Sequence, residues 1–434
     1  MKYAVIIPDG CSDWPLDLLD GRTPLEVAQV PAMDAIVTAG RLGTACHVPE
    51  GMQPGSDVAN LSLLGYDPRE SYTGRAPIEA IAQGIQLSPN DWAVRCNLVT
   101  IENQVMKSAT AGHISSQEAA DLLATLQDYV DRLDPDQERF EFHPGVSYRN
   151  LLICRGDQEK LPFSEHTRTI PAYELSDRSV ADAYPRGPGC ELLVELMEHV
   201  MKVFANHPVN RARLAARKLP ATGAWLWGEG RVPTLCPFQE KYGLQGAMIT
   251  AVDLLRGVGR LLGWRQIDVE GATGYTNTNY AGKGAAAIAA LEEVDLVCVH
   301  IEAPDEAGHE GDVEAKIRSI EAIDRDIVAP IYEALRSYGE YRILVSPDHP
   351  TPVETKKHHS DPVPMAMAGS GIEPDEFRQF DEAAAATSDW IFPAGHEVMN
   401  LFIREKIEDR GQKEPQNIEP QNAECRGEEL PLQR

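Results

Sequence analysis

The segment Leu296-Val-Cys-Val-His-Ile-Glu-Ala-Pro-Asp-Glu-Ala-Gly-His309 predicts a buried strand that runs into a helix. Residues 296–301 form a short and largely apolar run, which is typical of a strand buried on both faces of a parallel sheet. Asp305 and His309 follow at the spacing i, i+4, so one helical turn presents both side chains to the same point. The segment therefore predicts a carboxylate and an imidazole together at the carboxyl end of a strand.

Two other short apolar runs, Tyr3–Pro8 and Arg342–Ser346, have the same character. The groups that follow them are Asp9 after the first run, and Asp348 and His349 after the second. Helical segments are expected around 23–39, over 246–262 and, bent near Pro330, over 313–331. This strand–helix–strand alternation predicts a mostly parallel sheet flanked by helices. Taken alone, Asp9 fits an ordinary turn equally well. Because open α/β sheets hold their ligands at the carboxyl ends of strands, we expect these side chains to meet at one edge of the sheet.

A serine turn lies between the first two of these strands, in Met52-Gln-Pro-Gly-Ser-Asp-Val-Ala-Asn-Leu-Ser-Leu-Leu-Gly-Tyr-Asp-Pro68. Ser56 and Asp57 occupy the positions of a helix N-cap, ahead of a short apolar helical run. A hydroxyl at that point lies beside free backbone N–H groups, which are suited to hold a phosphate. Most Gly-Ser-Asp turns are only helix caps, so this turn becomes a candidate nucleophile only through the metal-binding pattern around it.

The candidate ligands are all carboxylates and imidazoles, without a thiolate. His358 and His359 add to them, in Lys-Lys-His-His-Ser-Asp-Pro-Val-Pro. Such a set suits Mn²⁺, Zn²⁺, Co²⁺ or Fe²⁺. A single histidine is more often a hydrogen-bonded polar residue than a ligand, but the grouping at three strand ends favours metal binding. There are enough ligands for two ions, which can clamp the attacking and leaving oxygens of a phosphoryl transfer and activate a serine hydroxyl.

The middle of the chain has a different pattern of strands and helices, which predicts an inserted domain at 81–239. Strands are expected at 92–101, 150–155 and 224–230, and Ser115-x-x-Glu118 forms a capping box ahead of an amphipathic helix. The predicted core domain is then discontinuous, at 1–80 and 240–405. The tail, 406–434, is polar with few apolar residues and is expected to be disordered.

Composition restricts the partners. The chain has 434 residues and a formal net charge of -27, which would repel nucleic acid and anionic membranes. An anionic substrate would be repelled too, so a phosphate site needs local cations. No apolar run approaches the roughly 18 residues that span a bilayer. The eight cysteines form no CxxC pair and indicate reduced thiols, and we expect a cytoplasmic protein. Nothing in the pattern sets an oligomeric state.

These motifs, taken in order, resemble the alkaline phosphatase superfamily and, within it, the archaeal-type 2,3-bisphosphoglycerate-independent phosphoglycerate mutases. The resemblance covers residues 1 to about 405 and rests on Asp9-Gly10, Gly55-Ser56-Asp57-Val58, Arg95-Cys-Asn-Leu-Val, Ala111-Gly-His113-Ile, Trp225-x-Trp-Gly-x-Gly, Gly271-Ala-Thr-Gly-Tyr, Asp305-x-x-x-His309, Asp348-His349 and His358-x-x-Asp-Pro-Val-Pro. It implies an α/β fold with an alkaline-phosphatase-like, mostly parallel sheet that has helices on both faces. A smaller inserted α/β (α+β) lid domain would accompany it.

The resemblance also implies two metal sites. One would use Asp305, His309 and His358, and the other Asp9, Ser56, Asp348 and His349. The preference for His358 over His359 rests on its spacing to Pro364. The cofactors would be two divalent metal ions, Mn²⁺ first, with Zn²⁺, Co²⁺ or Mg²⁺ as alternatives, and 2,3-bisphosphoglycerate would not be needed.

The implied reaction interconverts 3-phosphoglycerate and 2-phosphoglycerate, a small phosphorylated carboxylic acid, through a phosphoserine at Ser56. His113 would act as general acid and base, although a plain surface histidine is a competing interpretation. Lys283, Arg75, Arg95 and Arg149 would bind phosphate or carboxylate. A homoserine kinase-like phosphotransferase of the same family and a metal-dependent phosphomonoesterase are the alternatives. A large insertion that could exclude water favours the mutase over the hydrolase.

Overall fold

The computed structural model describes residues 1–133, 139–156, 163–164 and 166–404. Its strands are β1 (Lys2–Pro8), β2 (Gly40–Ala45), β3 (Trp92–Glu102), β4 (Val105–Ser108), β5 (Phe140–His143), β6 (Arg149–Cys154), β7 (Gly223–Gly230), β8 (Gly246–Ile249), β9 (Arg265–Ile267), β10 (Leu296–Ile301), β11 (Tyr341–Val345), β12 (Val363–Gly369) and β13 (Ile391–Phe392). The predicted tail, 406–434, lies outside the described residues.

The α-helices are α1 (Pro24–Val27), α2 (Pro31–Thr38), α3 (Ser56–Leu63), α4 (Pro68–Ser71), α5 (Arg75–Ala82), α6 (Ser116–Leu133), α7 (Cys190–Phe204), α8 (Pro208–Ala215), α9 (Phe238–Tyr242), α10 (Asp253–Leu261), α11 (Tyr280–Ala290), α12 (Ala303–Glu310), α13 (Val313–Ile323), α14 (Ala329–Arg336), α15 (Glu382–Ala385) and α16 (Glu397–Ile403). Short 3₁₀ turns lie at Asp17–Leu19 and Ala172–Leu175, and a π-helical turn at Asp324–Val328. Among the described residues, no helix is both long and apolar enough to cross a membrane.

The chain divides into two compact units. Unit 1 comprises 1–66, 235–251 and the residues from 262 onward, and unit 2 comprises 67–234 and 252–261. Both units are therefore discontinuous in sequence. That the segment 81–239 is a lid domain stays a prediction.

Unit 1 is built on an eight-stranded sheet with the order β13-β2-β12-β11-β1-β10-β8-β9. Only β12 runs against the others, since it pairs antiparallel with both β11 and β2. One face of the sheet, including Ala4, Ile6 and Val299, packs against apolar side chains of α2, α11, α13 and α14. The predicted α/β class, with a mostly parallel sheet and helices on both faces, is confirmed.

The three strands identified from the sequence are direct neighbours. β1 lies between β10 and β11 and pairs parallel with both. Their carboxyl ends therefore meet at one edge, as predicted. Gly10 makes this junction possible, because its φ is +61° and a Cβ there would lie 2.6 Å from Asp305 Oδ1. Only glycine lets the chain leave β1 directly beneath α12.

Unit 2 contains an antiparallel sheet in which β3 pairs with β4, β6 and β7, and β6 pairs with β5. Its core joins this sheet to α6 and α7. The capping box that opens α6 is confirmed, because Ser115 N donates to Glu118 Oε2 at 3.1 Å and Glu118 N to Ser115 Oγ at 3.3 Å. Gly74 and Gly230 pack backbone to backbone, which brings the start of α5 against β7.

Three sequence predictions of local structure are wrong. A single helix over 23–39 is replaced by α1 and α2, because Pro31 begins a new helix and disfavours the helical conformation of the residue before it. The predicted helix 246–262 begins instead with β8, whose four residues are all buried between β10 and β9. A buried apolar run of that length does not distinguish strand from helix. Ser56 is the first residue of α3 and not its cap, which is Gly55.

Candidate active site

Ser56 lies at the start of α3, and its side chain is turned toward the strand ends. Ser56 Oγ is 3.3 Å from Asp9 Oδ2, to which it donates, and 3.3 Å from His349 Nε2. The hydroxyl makes no N-cap hydrogen bond, and Ser56 is only 8% exposed. The predicted serine and two of its predicted partners are therefore in direct contact.

Asp348 completes this group. Its Oδ2 accepts a hydrogen bond from Asn60 Nδ2 at 2.8 Å and lies 3.5 Å from His349 Nε2. Asn60 Nδ2 also donates to Ser56 O at 2.8 Å, so α3 holds both the serine and the carboxylate. Sequence analysis missed Asn60, although its position one helical turn after Ser56 was a usable signal.

The predicted first metal set also converges. His309 Nε2 is 3.1 Å from Asp305 Oδ2, and His358 Nε2 is 3.4 Å from Asp305 Oδ1. His309 Nδ1 lies 3.0 Å from the carbonyl oxygen of Lys356, which places a proton on Nδ1, so the lone pair of the neutral ring lies on Nε2. Asp305 and His309 share one face of α12, as their spacing predicted.

The neighbouring histidine points elsewhere. His359 Nε2 lies 3.1 Å from Thr355 Oγ1, and its ring packs edge-on against Trp14 with a centroid distance of 4.6 Å. His358, in contrast, lies with its Nε2 2.9 Å from His309 Nε2. This geometry supports His358 as the ligand.

Two residues that sequence analysis did not single out extend the group around Asp9. His300 Nε2 is 2.7 Å from Asp9 Oδ2, and Glu302 Oε2 is 3.6 Å from the same nitrogen. A lone histidine inside an otherwise apolar strand was the signal available. Lys283 Nζ donates to the His300 carbonyl at 3.0 Å, so the predicted anion-binding lysine belongs to this part of unit 1.

Burial controls the charges of these groups. Burial, together with the charges of Asp348 and Glu302, raises the pKa of Asp9 well above its usual range. It raises the pKa of Glu302 to about 8 and lowers the pKa of Lys283 to about 8. It also lowers the pKa of His349 to about 4, so that ring is neutral near pH 7. Neutral imidazole is the form that binds a metal.

These residues fit divalent cations. Three groups have ligand atoms within 4.8 Å of one another, namely Asp305, His309 and His358, then Asp9, Asp305 and His349, and finally Asp9, His300 and Glu302. Asp9 Oδ1 is buried without a hydrogen-bond partner among the described residues, as is Glu302 Oε2. Unpartnered buried carboxylate oxygens are costly, and a cation between them would remove that cost. Oxygen and imidazole donors without thiolate suit the predicted class of metal but do not select Mn²⁺.

Unit 2 holds a second polar cluster, built on β3 and α5. Glu79 Oε1 accepts from Arg75 Nε at 2.8 Å and lies 3.0 Å from Arg95 Nη1. The Arg95 guanidinium also lies 4.6 Å from the centroid of Trp227, with its Nε buried and unpartnered within the described structure. Two guanidinium groups share one carboxylate, so the cluster keeps a net positive charge.

The other two predicted residues of unit 2 adjoin this cluster. Arg149 lies 5.5 Å from the Tyr148 ring centroid, and its charge acts on both Glu79 and Arg95. His113 lies edge-on to the ring of Tyr148, with a centroid distance of 6.3 Å. His113 is exposed and has a positive φ of 52°. The structure thus brings together the predicted residues of unit 2, whereas Lys283 belongs to unit 1.

The chain is similar to known proteins over nearly its whole length. A family model described as 2,3-bisphosphoglycerate-independent phosphoglycerate mutase matches residues 38–210. A relative of that name from Methanothrix thermoacetophila is 47% identical over 404 residues, which cover 93% of this chain and 100% of the relative. Another from Methanosarcina barkeri is 43% identical, with 94% and 100% covered.

Solved structures agree. A Pyrococcus horikoshii protein superposes with a TM-score of 0.76 at 29% identity, covering 92% of this chain and 96% of the other. A cofactor-independent phosphoglycerate mutase from Thermoplasma acidophilum superposes with a TM-score of 0.61 at 27% identity, covering 93% and 99%. The fold and the site are those of an α/β protein with clustered carboxylate and imidazole groups that could hold divalent metal ions. The chain belongs to the 2,3-bisphosphoglycerate-independent phosphoglycerate mutase family.

Proposed function

We propose that this protein interconverts 3-phosphoglycerate and 2-phosphoglycerate without added 2,3-bisphosphoglycerate, with Ser56 as the nucleophile. The observation that carries the proposal is the position of Ser56 Oγ, 3.3 Å from both Asp9 Oδ2 and His349 Nε2, at the start of a helix. A hydroxyl held there faces metal-binding side chains on one side and backbone N–H groups on the other.

In the first half of the reaction, Ser56 Oγ attacks the phosphorus of 3-phosphoglycerate. The bond from phosphorus to the 3-oxygen of glycerate breaks. Divalent cations held by the two ligand sets would lower the pKa of the hydroxyl, so that its proton passes to solvent, and would offset the charge of the phosphate. Asn60 and the α3 backbone keep Ser56 in place while it reacts. The leaving oxygen takes a proton, and we assign His113 as its source.

In the second half, the glycerate 2-hydroxyl gives a proton back to His113, and its oxygen attacks the phosphorus of the phosphoserine. The bond from phosphorus to Ser56 Oγ breaks, and Oγ takes back a proton from solvent. Arg75, Arg95 and Arg149 are assigned to the carboxylate and phosphate, because planar guanidinium groups bind such anions in pairs of hydrogen bonds. Glu79 supports the assignment, since it orients two of the three arginines at once. We also propose that the inserted segment, 81–239, excludes water from the phosphoserine.

The decisive test is an assay of the purified full chain with Mn²⁺ and 3-phosphoglycerate, followed by phosphorus NMR so that every product is seen. We expect 2-phosphoglycerate to accumulate without 2,3-bisphosphoglycerate, and EDTA to stop the reaction. Free phosphate appearing faster than 2-phosphoglycerate would identify a phosphomonoesterase. Phosphorylation of homoserine with ATP, in place of the isomerisation, would identify the kinase-like alternative.

The arginine assignment has its own test. Arg95→Lys keeps the charge but loses the fork of donors, so we expect KM for 3-phosphoglycerate to rise by about tenfold or more. Mn²⁺ affinity should stay unchanged, because the proposed metal-binding side chains all belong to unit 1, whereas Arg95 belongs to unit 2. Arg178→Lys, at an exposed arginine of the same unit, is the matched control. An unchanged KM in Arg95→Lys would remove Arg95 from the substrate site.

A further inference from the structure

Thr351 connects the two proposed metal sets through one hydroxyl. Its Oγ1 lies 2.5 Å from Asp305 Oδ1 and 3.3 Å from His349 Nδ1. Asp305 belongs to the first set and His349 to the second. Thr351 is fully buried, at 0% exposure, so water does not compete for these contacts.

The direction of each hydrogen bond follows from the chemistry of the groups. An ionised carboxylate only accepts, so the Thr351 hydroxyl donates its proton to Asp305 Oδ1. The oxygen can then only accept from His349, which places the imidazole proton on Nδ1. The lone pair of neutral His349 is left on Nε2, the nitrogen that lies 3.3 Å from Ser56 Oγ.

A buried ion pair holds the Thr351 backbone. Lys316 Nζ donates to the Thr351 carbonyl at 2.8 Å, to Asp13 Oδ2 at 2.7 Å and to the Ser12 carbonyl at 3.2 Å. All three ammonium protons are therefore used, and Lys316 is 0% exposed. Asp13 Oδ2 also accepts a hydrogen bond from Val353 N at 3.2 Å, which holds the backbone two residues after Thr351.

The fit of Thr351 against α12 depends on Gly308. A Cβ at that position would collide with the Thr351 carbonyl oxygen and lie 2.9 Å from its Cγ2. Glycine therefore lets the threonine approach the turn of α12 that carries both Asp305 and His309. Neither Thr351, Lys316 nor Gly308 has a part in the proposed chemistry itself.

We propose that Thr351 is a positioning residue that couples the two metal sites, by orienting the Asp305 carboxylate and by fixing the tautomer of His349. The inference rests on the proposed function, since it presumes that these residues bind metal. A single hydroxyl then influences the metal affinity of both sites. The Lys316–Asp13 ion pair keeps that hydroxyl in place, because Lys316 holds the Thr351 backbone.

The test measures Mn²⁺ binding to the metal-free full chain by calorimetry in three variants. Thr351→Val keeps the shape but removes the hydroxyl, and it should weaken both sites by about 10- to 100-fold, as the loss of a ligand's hydrogen-bond partner does. Thr351→Ser should restore affinity to within about threefold of the wild type, on the same principle. Thr355→Val, four residues along the same loop, removes a hydroxyl that contacts His359 and should bind like the wild type.

The outcomes distinguish a failure of the coupling by Thr351 from a failure of the proposed metal sites. Wild-type affinity in Thr351→Val, or weakening of one site alone, overturns the coupling while leaving the metal sites in place. A wild-type chain that binds no Mn²⁺ overturns the metal sites themselves. Nitrogen NMR of the metal-free wild type adds a measurement that needs no variant. We expect His349 to carry its proton on Nδ1, and a proton on Nε2 would overturn the proposal even if Thr351→Val does not fold.

Discussion

Ser56 shows how one position can serve both a helix and a reaction. Gly55 takes the cap position of α3, so the serine hydroxyl is directed toward Asp9 and His349 and not to the helix backbone. The positive end of the helix dipole still lies beside it, where a transferred phosphate would be stabilised. The helix start therefore supports the proposed phosphoserine without using the nucleophile as its cap.

Replacement of Ser56 by alanine should abolish mutase activity. We expect the rate of 2-phosphoglycerate formation to fall by about 10³-fold or more, because alanine lacks the proposed attacking atom. Ser62→Ala is the matched control on the same helix, since Ser62 Oγ is buried without a hydrogen-bond partner among the described residues. Its removal should leave activity and stability close to the wild type. Substantial turnover in Ser56→Ala would refute the assignment of the nucleophile.

Metal affinity should depend on pH through His309. Burial opposes protonation of this ring, but Asp305 and Glu306 outweigh it and raise the pKa of His309 to about 9 in the metal-free chain. The ring is then protonated at pH 7 and must lose a proton to bind a cation. Mn²⁺ affinity should therefore rise between pH 6 and 9, by about tenfold per pH unit for each proton released. Calorimetry in buffers of different ionisation enthalpy measures the released protons, and pH-independent binding would contradict the expectation.

At the scale of elements, the site depends on how closely β1 and α12 approach. Gly10 leaves β1 with a φ of +61°, and Asp305 Cα and Cβ lie where its side chain would be. The sequence Asp9-Gly10 therefore encodes a carboxylate followed by the only residue that allows a helix to pack on the strand end.

The substitution Gly10→Ala should lower the free energy of unfolding by more than a positive φ alone would. Gly21 provides the comparison, because its φ is +77° and a Cβ there would meet nothing within 4 Å. We expect Gly21→Ala to lower the free energy of unfolding by about 1–2 kcal/mol, the cost of a left-handed conformation for an L-residue. Gly10→Ala should lower it by about 1–3 kcal/mol more, from strain against α12, and should weaken Mn²⁺ binding as well. Equal losses in the two variants, measured by urea unfolding, would show that α12 yields to the added methyl group.

The helix around Pro330 agrees with its local pattern. The apolar spacing of 313–331 predicts one long helix bent near Pro330, and α13, the π-helical turn and α14 follow one another without a break, with the π-helical turn just before Pro330. Proline removes one backbone donor, and the wider turn accommodates its ring. Gly284 of α11 packs against the carbonyl of Asp326 in that turn, so the interruption also allows close packing beside Lys283.

At the scale of the whole molecule, the buried carboxylates are the main electrostatic problem. The chain carries a net charge of -27, and unit 1 buries Asp9, Asp305 and Asp348 within one cluster. Burial, together with the repulsion from Asp348 and Asp305, raises the pKa of Asp9 well above its usual range. Bound cations would reverse this repulsion, so metal binding and the stability of unit 1 should be coupled.

Calorimetric unfolding should reveal that coupling. Mn²⁺ at about 100 times its Kd should stabilise unit 1 by about 2.7 kcal/mol per site, and EDTA should return the transition to the metal-free temperature. Asp305→Asn removes the only carboxylate of the first ligand set and should reduce the shift, whereas Asp375→Asn, at a carboxylate outside the cluster, should not. An identical unfolding temperature with Mn²⁺ and with EDTA would argue against metal binding by the folded chain.

The class of fold and most of the proposed ligands follow from the amino-acid sequence alone, because both depend on local patterns. Buried strands followed by Asp or His at Asp9, Asp305 and Asp348 need only the rule that parallel strands end at one edge. The sequence also placed His113 and the arginines of unit 2 as candidates, through resemblance to a family. These assignments need no knowledge of which strands are neighbours.

Tertiary structure alone decided which side chains touch. β8 became a strand because of its place in the sheet, and His300, Asn60 and Thr351 became parts of the site through partners more than 40 residues away or one turn along a helix. It also separated His358 from His359, which differ by one position but face different partners. The physical reason is that hydrogen bonds and burial depend on distances in space, and local sequence patterns carry only the spacing along the chain.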